Sequence, residues 1–156
     1  LDRVAARHPG VAILRLDVQA LAERVADSMY ERDTATQALG IRIAHVGPGY
    51  AELVMTVRSD MLNGHEICHG GFIFTLADSA FAYACNSYNL NTVASGCAIE
   101  FTAPARSGDV LAARAHERQL AGRTGVYDVE VANQRGETVA LFRGKSYRIK
   151  GHLLEE

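Results

Sequence analysis

The sequence predicts an α+β fold: one antiparallel sheet wrapped around one long helix, with a further helix at the N-terminus. Three observations carry this. Residues 71–87, "GFIFTLADSAFAYACNS", are long enough for a helix and apolar on nearly every face, the pattern of a helix enclosed by other structure. Alternating segments with Gly-containing turns lie on both sides of it, two before and four after. Residues 11–31 carry a single apolar stripe at helical spacing. A sheet closed around the central helix packs these parts economically and leaves the first helix outside as an addition.

Taken in order, "VAILRLDVQALAERVADSMYE" places Leu14, Val18, Leu21, Val25 and Met29 on one helical face. "DTATQALG" reads as a short helical turn that Gly40 can end. "IRIAHVGPGYAELVMTVR" reads as two strands around "GPG", where Gly and Pro permit a tight turn. "SDMLNGHEICHGG" is a loop leading into the central helix. "NTVASGCAIEFTAP", "GDVLAARAHERQL", "GRTGVYDVEVANQRG" and "ETVALFRGKSYRIKG" read as four further strands.

Composition narrows the function only broadly. The 156 residues, 48% apolar and 22% charged, are ordinary for a globular protein with a sizeable core. A net charge of −2 gives no reason to expect nucleic-acid binding, so an anionic ligand must meet a local basic patch. Cys68, Cys85 and Cys97 are too few for a disulfide framework. Reduced thiols in a cytoplasmic setting are the expectation, with Cys85 and Cys97 as small core residues. No apolar run is long enough to span a bilayer, and the N-terminal stretch lacks a signal-peptide layout. A first residue of Leu suggests a truncated or upstream-derived end.

The chemistry concentrates between Asn63 and Asp78. Gly70, Gly71 and Phe72 stand where loop becomes helix, so their N–H groups lack intrahelical partners. Without side chains at 70 and 71 a ligand oxygen can come close, and the helix dipole adds positive character. That is an oxyanion hole, or simply a glycine turn. Asp78 interrupts the apolar run seven residues after Gly71, on the same side as Thr75 and Ala82. It is a catalytic acid or one held in a structural pair.

Two turns rise by about 10 Å, too far for Asp78 to act on a carbonyl at its own helix start. Both ends work together only if a second, antiparallel copy supplies the missing half, as in a two-fold homodimer. Asn63 can orient water or a carbonyl, or serve as a turn residue. His69 can contact ligand or hold the loop. His65, Cys68 and His69 are too few and too badly placed for a zinc site, so no metal is expected.

Beyond this, "MLNGHEICHGGFIFTLADSAFAYACNS", "VASGCAIEFTAPARSGD", "GRTGVYDVEV" and "TVALFRGKSYRI" together resemble the hot-dog-fold acyl-CoA thioesterases, and within them the PaaI-type family of phenylacetate degradation. The resemblance covers roughly residues 29–150, in which helix, strands and spacing agree. It implies a hot-dog thioesterase domain over 29–156, a strongly curved sheet, and dimers assembled into a homotetramer. Residues 1–28 become a helical N-terminal extension.

The resemblance also implies roles. Asp78 is the catalytic carboxylate, and the N–H of Gly70 or Gly71 from the other subunit polarises the thioester carbonyl. Asn63 and His69 position substrate and water, and Ser95 lies near a Ser or Thr that some relatives use. Arg123, Thr124, Lys145 and Arg148 are the candidates for coenzyme A phosphates. The substrate is a small aromatic acyl-CoA of the hydroxylated phenylacetyl type, hydrolysed to free acid and coenzyme A with no further cofactor. Phe72, Phe74 and Tyr83 can shape the acyl pocket or fill the core. A hot-dog hydratase or dehydratase and a non-catalytic acyl-CoA-binding module are the rival readings; the second would not require Asp78.

Overall fold

The computed structural model describes residues 9–155, with side chains from residue 17. Helix α1 (Pro9–Arg32) and the short α2 (Thr34–Ala38) precede strands β1 (Arg42–Gly47) and β2 (Tyr50–Thr56). After a 3-10 turn (Ser59–Met61) and a loop comes α3 (Gly70–Asn86). It is followed by β3 (Thr92–Phe101), β4 (Val110–Ala121), β5 (Thr124–Ala132) and β6 (Thr138–Arg148). The six strands form one antiparallel sheet in the order β1-β2-β4-β5-β6-β3. The predicted elements are all present, and β3, although first in sequence after α3, lies at the sheet edge.

The sheet turns one face onto α3. Leu53 and Met55 of β2, Leu111 of β4, Tyr127, Val129 and Val131 of β5 and Phe142 of β6 join Ile73, Leu76, Ala77, Ala80, Phe81 and Ala84 of the helix in one core. Small residues set how closely the layers approach. A Cβ at Gly144 would stand 2.8 Å from the Phe81 ring, so β6 has room for that ring only because the position is glycine.

The enclosure of α3 is incomplete, in contrast to the sequence expectation. Gly71 is exposed, and Thr75, Asp78 and Ala82 are half-buried. The sheet and the N-terminal segment cover the other sides; this small-residue face is left open. Cys97 is likewise exposed rather than in the core, because it stands on the edge strand β3.

Helix α1 lies against β1 on the outside and runs unbroken through residues 28 and 29. Its buried stripe is rotated from the predicted one: Ala22, Val25 and Ala26 are buried, Met29 packs on the core, and Val18 is 45% exposed. The small Ala22 and Ala26 allow the helix backbone close to its neighbours. Leu14 lies outside the described side chains. Gln19 Nε2 donates to Val46 O at 2.8 Å and Tyr30 OH to Ile41 O at 2.9 Å, fastening the helix to both ends of β1.

Asp33 joins this segment to α3. Its Oδ1 accepts from Thr36 N at 3.1 Å, capping α2, and its Oδ2 accepts from Tyr83 OH at 3.2 Å. Asp33→Ala should therefore remove a cap, worth about 1 kcal/mol, and leave a buried tyrosine hydroxyl without its acceptor, worth about 1–3 kcal/mol. A urea titration should show stability lower by roughly the sum of these; an unchanged midpoint would mean that the segment is not coupled to α3.

Candidate active site

The loop before α3 is pinned from both sides. Cys68 N donates to Ala105 O at 2.7 Å and His69 N to Met61 O at 2.8 Å. Asn63 closes an Asx turn: its Oδ1 accepts from His65 N at 2.9 Å and from Ile67 N at 3.4 Å. This use of the oxygen fixes the amide plane, and its NH2 group has no acceptor among the described residues.

His69 is the N-cap of α3, and its Nδ1 accepts from Gly71 N at 2.9 Å. An accepting Nδ1 places the ring proton on Nε2, which has no partner among the described residues. Phe72 N donates to His69 O at 3.0 Å. Of the three helix-start donors, Gly71 and Phe72 are thus engaged internally, while the Gly70 N–H meets no acceptor among the described residues. Phe101 lies directly over this glycine, since a Cβ at Gly70 would stand 2.8 Å from its ring.

Asp78 lies eight residues along the helix from Gly70, a rise of about 12 Å. Neither alternative partner suggested by the sequence, a backbone donor or a cation, reaches its carboxylate among the described residues. The one hydrogen-bond donor that reaches it among the described residues is the Cys97 thiol, a weak donor, with Sγ 3.9 Å from Oδ1. Burial raises the Asp78 pKa above the ordinary carboxylate range. The same carboxylate and burial, burial first, push the Cys97 thiol up. Thr75 turns its hydroxyl inward to Gly71 O at 2.9 Å, leaving its methyl on the open face.

The other candidates separate into groups. Arg123 and Arg148 line one small cleft together with Cys85, Tyr88 and Ser146, and Arg148 N donates to Arg123 O at 2.7 Å. Neither guanidinium has an acidic partner among the described residues, whereas Arg143 and Arg114 are tied to Asp128 and Glu52. Thr124 spends its hydroxyl on Ala121 O at 3.0 Å. Lys145 is exposed and alternates with buried Gly144 and Ser146, so it lies on the opposite side of β6, away from α3.

Ser95 sits in the β-bulge between Ala94 and Gly96, and its hydroxyl donates to Lys145 O at 3.1 Å. The bulge gives the inward positions opposite Ser146 and Gly144 to Ala94 and Cys97. Phe74 packs edge-on against Phe142, and Tyr83 is buried against Asp33; both are core side chains. Phe101 and Cys97, which do border the candidate site, carried no motif in the sequence: each reads there as one more apolar residue of a strand. Among the described residues no cluster of His, Cys, Asp and Glu could hold a metal ion. No described helix is long and apolar enough to cross a membrane.

A glycine N–H open at a helix start and a half-buried carboxylate with no countercharge among the described residues are groups that acyl-transfer chemistry can use. Comparison with known proteins gives the family. A thioesterase superfamily model matches residues 65–140. The acyl-coenzyme A thioesterase PaaI of Escherichia coli K12 is 54% identical over 131 residues, 84% of this chain and 94% of that protein.

The solved structure of the E. coli PaaI protein from the phenylacetic acid degradation operon superposes with a TM-score of 0.85 at 52% identity, covering 86% of this chain and 98% of that one. A substituted form of the phenylacetic acid degradation protein PaaI from Thermus thermophilus gives 0.72 at 42%, covering 75% and 100%. The chain belongs to the thioesterase superfamily, in its hot-dog fold, and is a thioester hydrolase.

A raised Asp78 pKa has a stability consequence with a definite sign. The folded state holds this proton more tightly than the unfolded chain. The Asp78 contribution is therefore most favourable below the unfolded pKa and is lost as pH rises through the folded value. Asp78→Asn should melt higher than the wild type at neutral pH, with the gap closing on acidification below the ordinary carboxylate range. Melting curves across pH test this, and equal melting temperatures throughout would show the carboxylate to be fully solvated.

Proposed function

We propose that the protein is an acyl-CoA thioesterase that hydrolyses a small aromatic acyl-CoA, of the hydroxylated phenylacetyl type, to the free acid and coenzyme A. The observation that carries the reading is Asp78: a half-buried carboxylate without a countercharge among the described residues, on the one face of α3 that its own sheet leaves open. The PaaI relatives support the acyl-CoA assignment and, through the phenylacetic acid operon named for one of them, the aromatic class. The protein works in the cytoplasm, as a homotetramer built from homodimers.

The site is composite. A two-fold copy of α3 laid antiparallel on the open face brings Gly70 of the partner subunit beside Asp78, and Gly71, Thr75 and Ala82 are small enough for that approach. The thioester oxygen accepts from the Gly70 N–H. Asp78 takes a proton from water as the water oxygen bonds to the thioester carbon, or its own oxygen attacks that carbon. In the first route the tetrahedral oxyanion collapses, the C–S bond breaks, and the leaving thiolate recovers the proton from Asp78. In the second the C–S bond breaks to release the thiolate and leave a mixed anhydride on Asp78. Water then adds to the acyl carbon, frees the acid and the Asp78 carboxylate, and supplies the proton the thiolate takes up.

Asn63, through its open amide, and His69, through Nε2–H, orient substrate and water. Arg123 and Arg148, without acidic partners among the described residues, offer their guanidiniums to the phosphates of coenzyme A; Thr124, Lys145 and Ser95 stand further from that role. The reaction draws on no metal or organic cofactor beyond the coenzyme A of the substrate.

Asp78→Asn should reduce turnover of phenylacetyl-CoA by about 100-fold or more, and Gly70→Ala should also be severely impaired. Mixing and reassembling the two impaired variants should restore about a quarter of wild-type activity, because half the dimers are hybrids and each hybrid rebuilds one intact site. Recovery of nothing, with hybrids demonstrated by mass, would place the whole site within one subunit. Wild-type-like hydrolysis by Asp78→Asn would remove the carboxylate from the mechanism.

A further inference from the structure

A cleft of about 600 Å³ opens beside Gly70, between the 63–70 loop and the segment that follows β3. Its size is that of a small-molecule site. Ile67, Ile73, Phe101, Ala103, Pro104 and Ala105 make most of its wall, none of the described charged residues lines it, and Asn63 and Gly70 stand at its polar end. Phe101 is 53% exposed, which is costly for a large ring unless something covers it. Its position is constrained as well, since the ring rests on Gly70 in the gap left by the missing side chain.

A carbonyl oxygen accepting from the Gly70 N–H would lie at the polar end of this cleft, close to the Phe101 ring. We propose that the cleft is the acyl subsite and that Phe101 is a specificity-determining residue, selecting aromatic acyl groups by ring–ring contact. The inference rests on the thioesterase reading and adds to it where the acyl group lies.

The wall decides between the two arms of the substrate. The pantetheine arm carries two amides and a hydroxyl that lose hydrogen bonds to water on entering an apolar cleft. A phenyl ring loses none, a hydroxylated one has only its hydroxyl to desolvate, and either gains an offset or edge-on contact with Phe101. The nucleotide phosphates find no cation among the described residues of that wall. His69, packed edge-on against Phe72 with ring centroids 6.2 Å apart, keeps its own side chain on the loop, so Phe101 is the ring presented to the cleft.

The test compares substrates within each variant, which cancels any loss of folded protein. For Phe101→Ala, the ratio of kcat/KM for phenylacetyl-CoA to that for hexanoyl-CoA should fall by roughly 10–50-fold relative to wild type, the scale on which one apolar pocket contact discriminates. Phe101→Leu, which keeps apolar bulk beside Gly70, should lower the same phenylacetyl-to-hexanoyl ratio, whatever loss the two substrates share. Inhibition by free coenzyme A should be unaffected in both.

Equal losses on both substrates would show that Phe101 only supports Gly70. Weakened inhibition by free coenzyme A would assign the cleft to the pantetheine arm. Unchanged kinetics would take the cleft out of the site. Each overturns the inference while leaving the thioesterase reading intact; a wild-type protein inactive on every acyl-CoA would instead overturn that reading.

Discussion

A single helix inside a single sheet poses a covering problem, and the rest of this structure follows from it. A sheet of six strands can curl around α3 on the sides reached by β2, β4, β5 and β6, and α1 and α2 close another. The face formed by Gly71, Thr75, Asp78 and Ala82 is covered only in part by the described residues of its own chain, with Cys97 of the edge strand β3 against Asp78. Elsewhere bulky groups hold the layers apart by filling every gap, as Phe81 does against Gly144. On the open face the side chains are small and one is an acid. The residues that build the core and the residues offered for chemistry are therefore sorted by the same geometry.

The helix start shows a second sorting, this time of hydrogen bonds. Three N–H groups without intrahelical partners come free where the chain enters α3. His69 spends its imidazole nitrogen and its carbonyl on two of them, which rigidifies the first turn. The donor that survives is Gly70, the one beneath Phe101 and beside the apolar cleft. Capping is thus confined to the two donors after Gly70. In the proposed mechanism the donor left open is the one held for a developing oxyanion.

Much of this was readable from the residues, for identifiable reasons. Element boundaries follow periodicity and turn chemistry, which act locally, so all six strands and α3 could be placed. The small polar face of α3 was legible because a two-turn repeat is a property of the helix alone. What escaped depended on tertiary register. The bulge at Ser95 moves that hydroxyl onto Lys145 O and hands the inward position to Cys97; alternation along a strand gives no hint of it. The stripe of α1 turned because alanines, invisible to an apolar-bulk criterion, admit the closest packing. Gly70 and Gly71 look alike in sequence, and only the side-chain direction of His69 separates them. Phe101 reads as ordinary strand until its ring is seen over a glycine.

The charge of Asp78 raises a last question of balance. Its environment already disfavours ionisation, and a second helix laid over it would remove more water and disfavour it further. In the proposed homodimer this would not become prohibitive, because the helix brought in would be antiparallel. It would arrive with its N-terminus, the end carrying positive partial charge, nearest the carboxylate. The element that desolvates the acid would then also supply the field that tolerates its charge, and the same field would favour an oxyanion. An acid alone in an apolar helix is expensive; opposite the start of a second copy of that helix its charge would have a compensating partner.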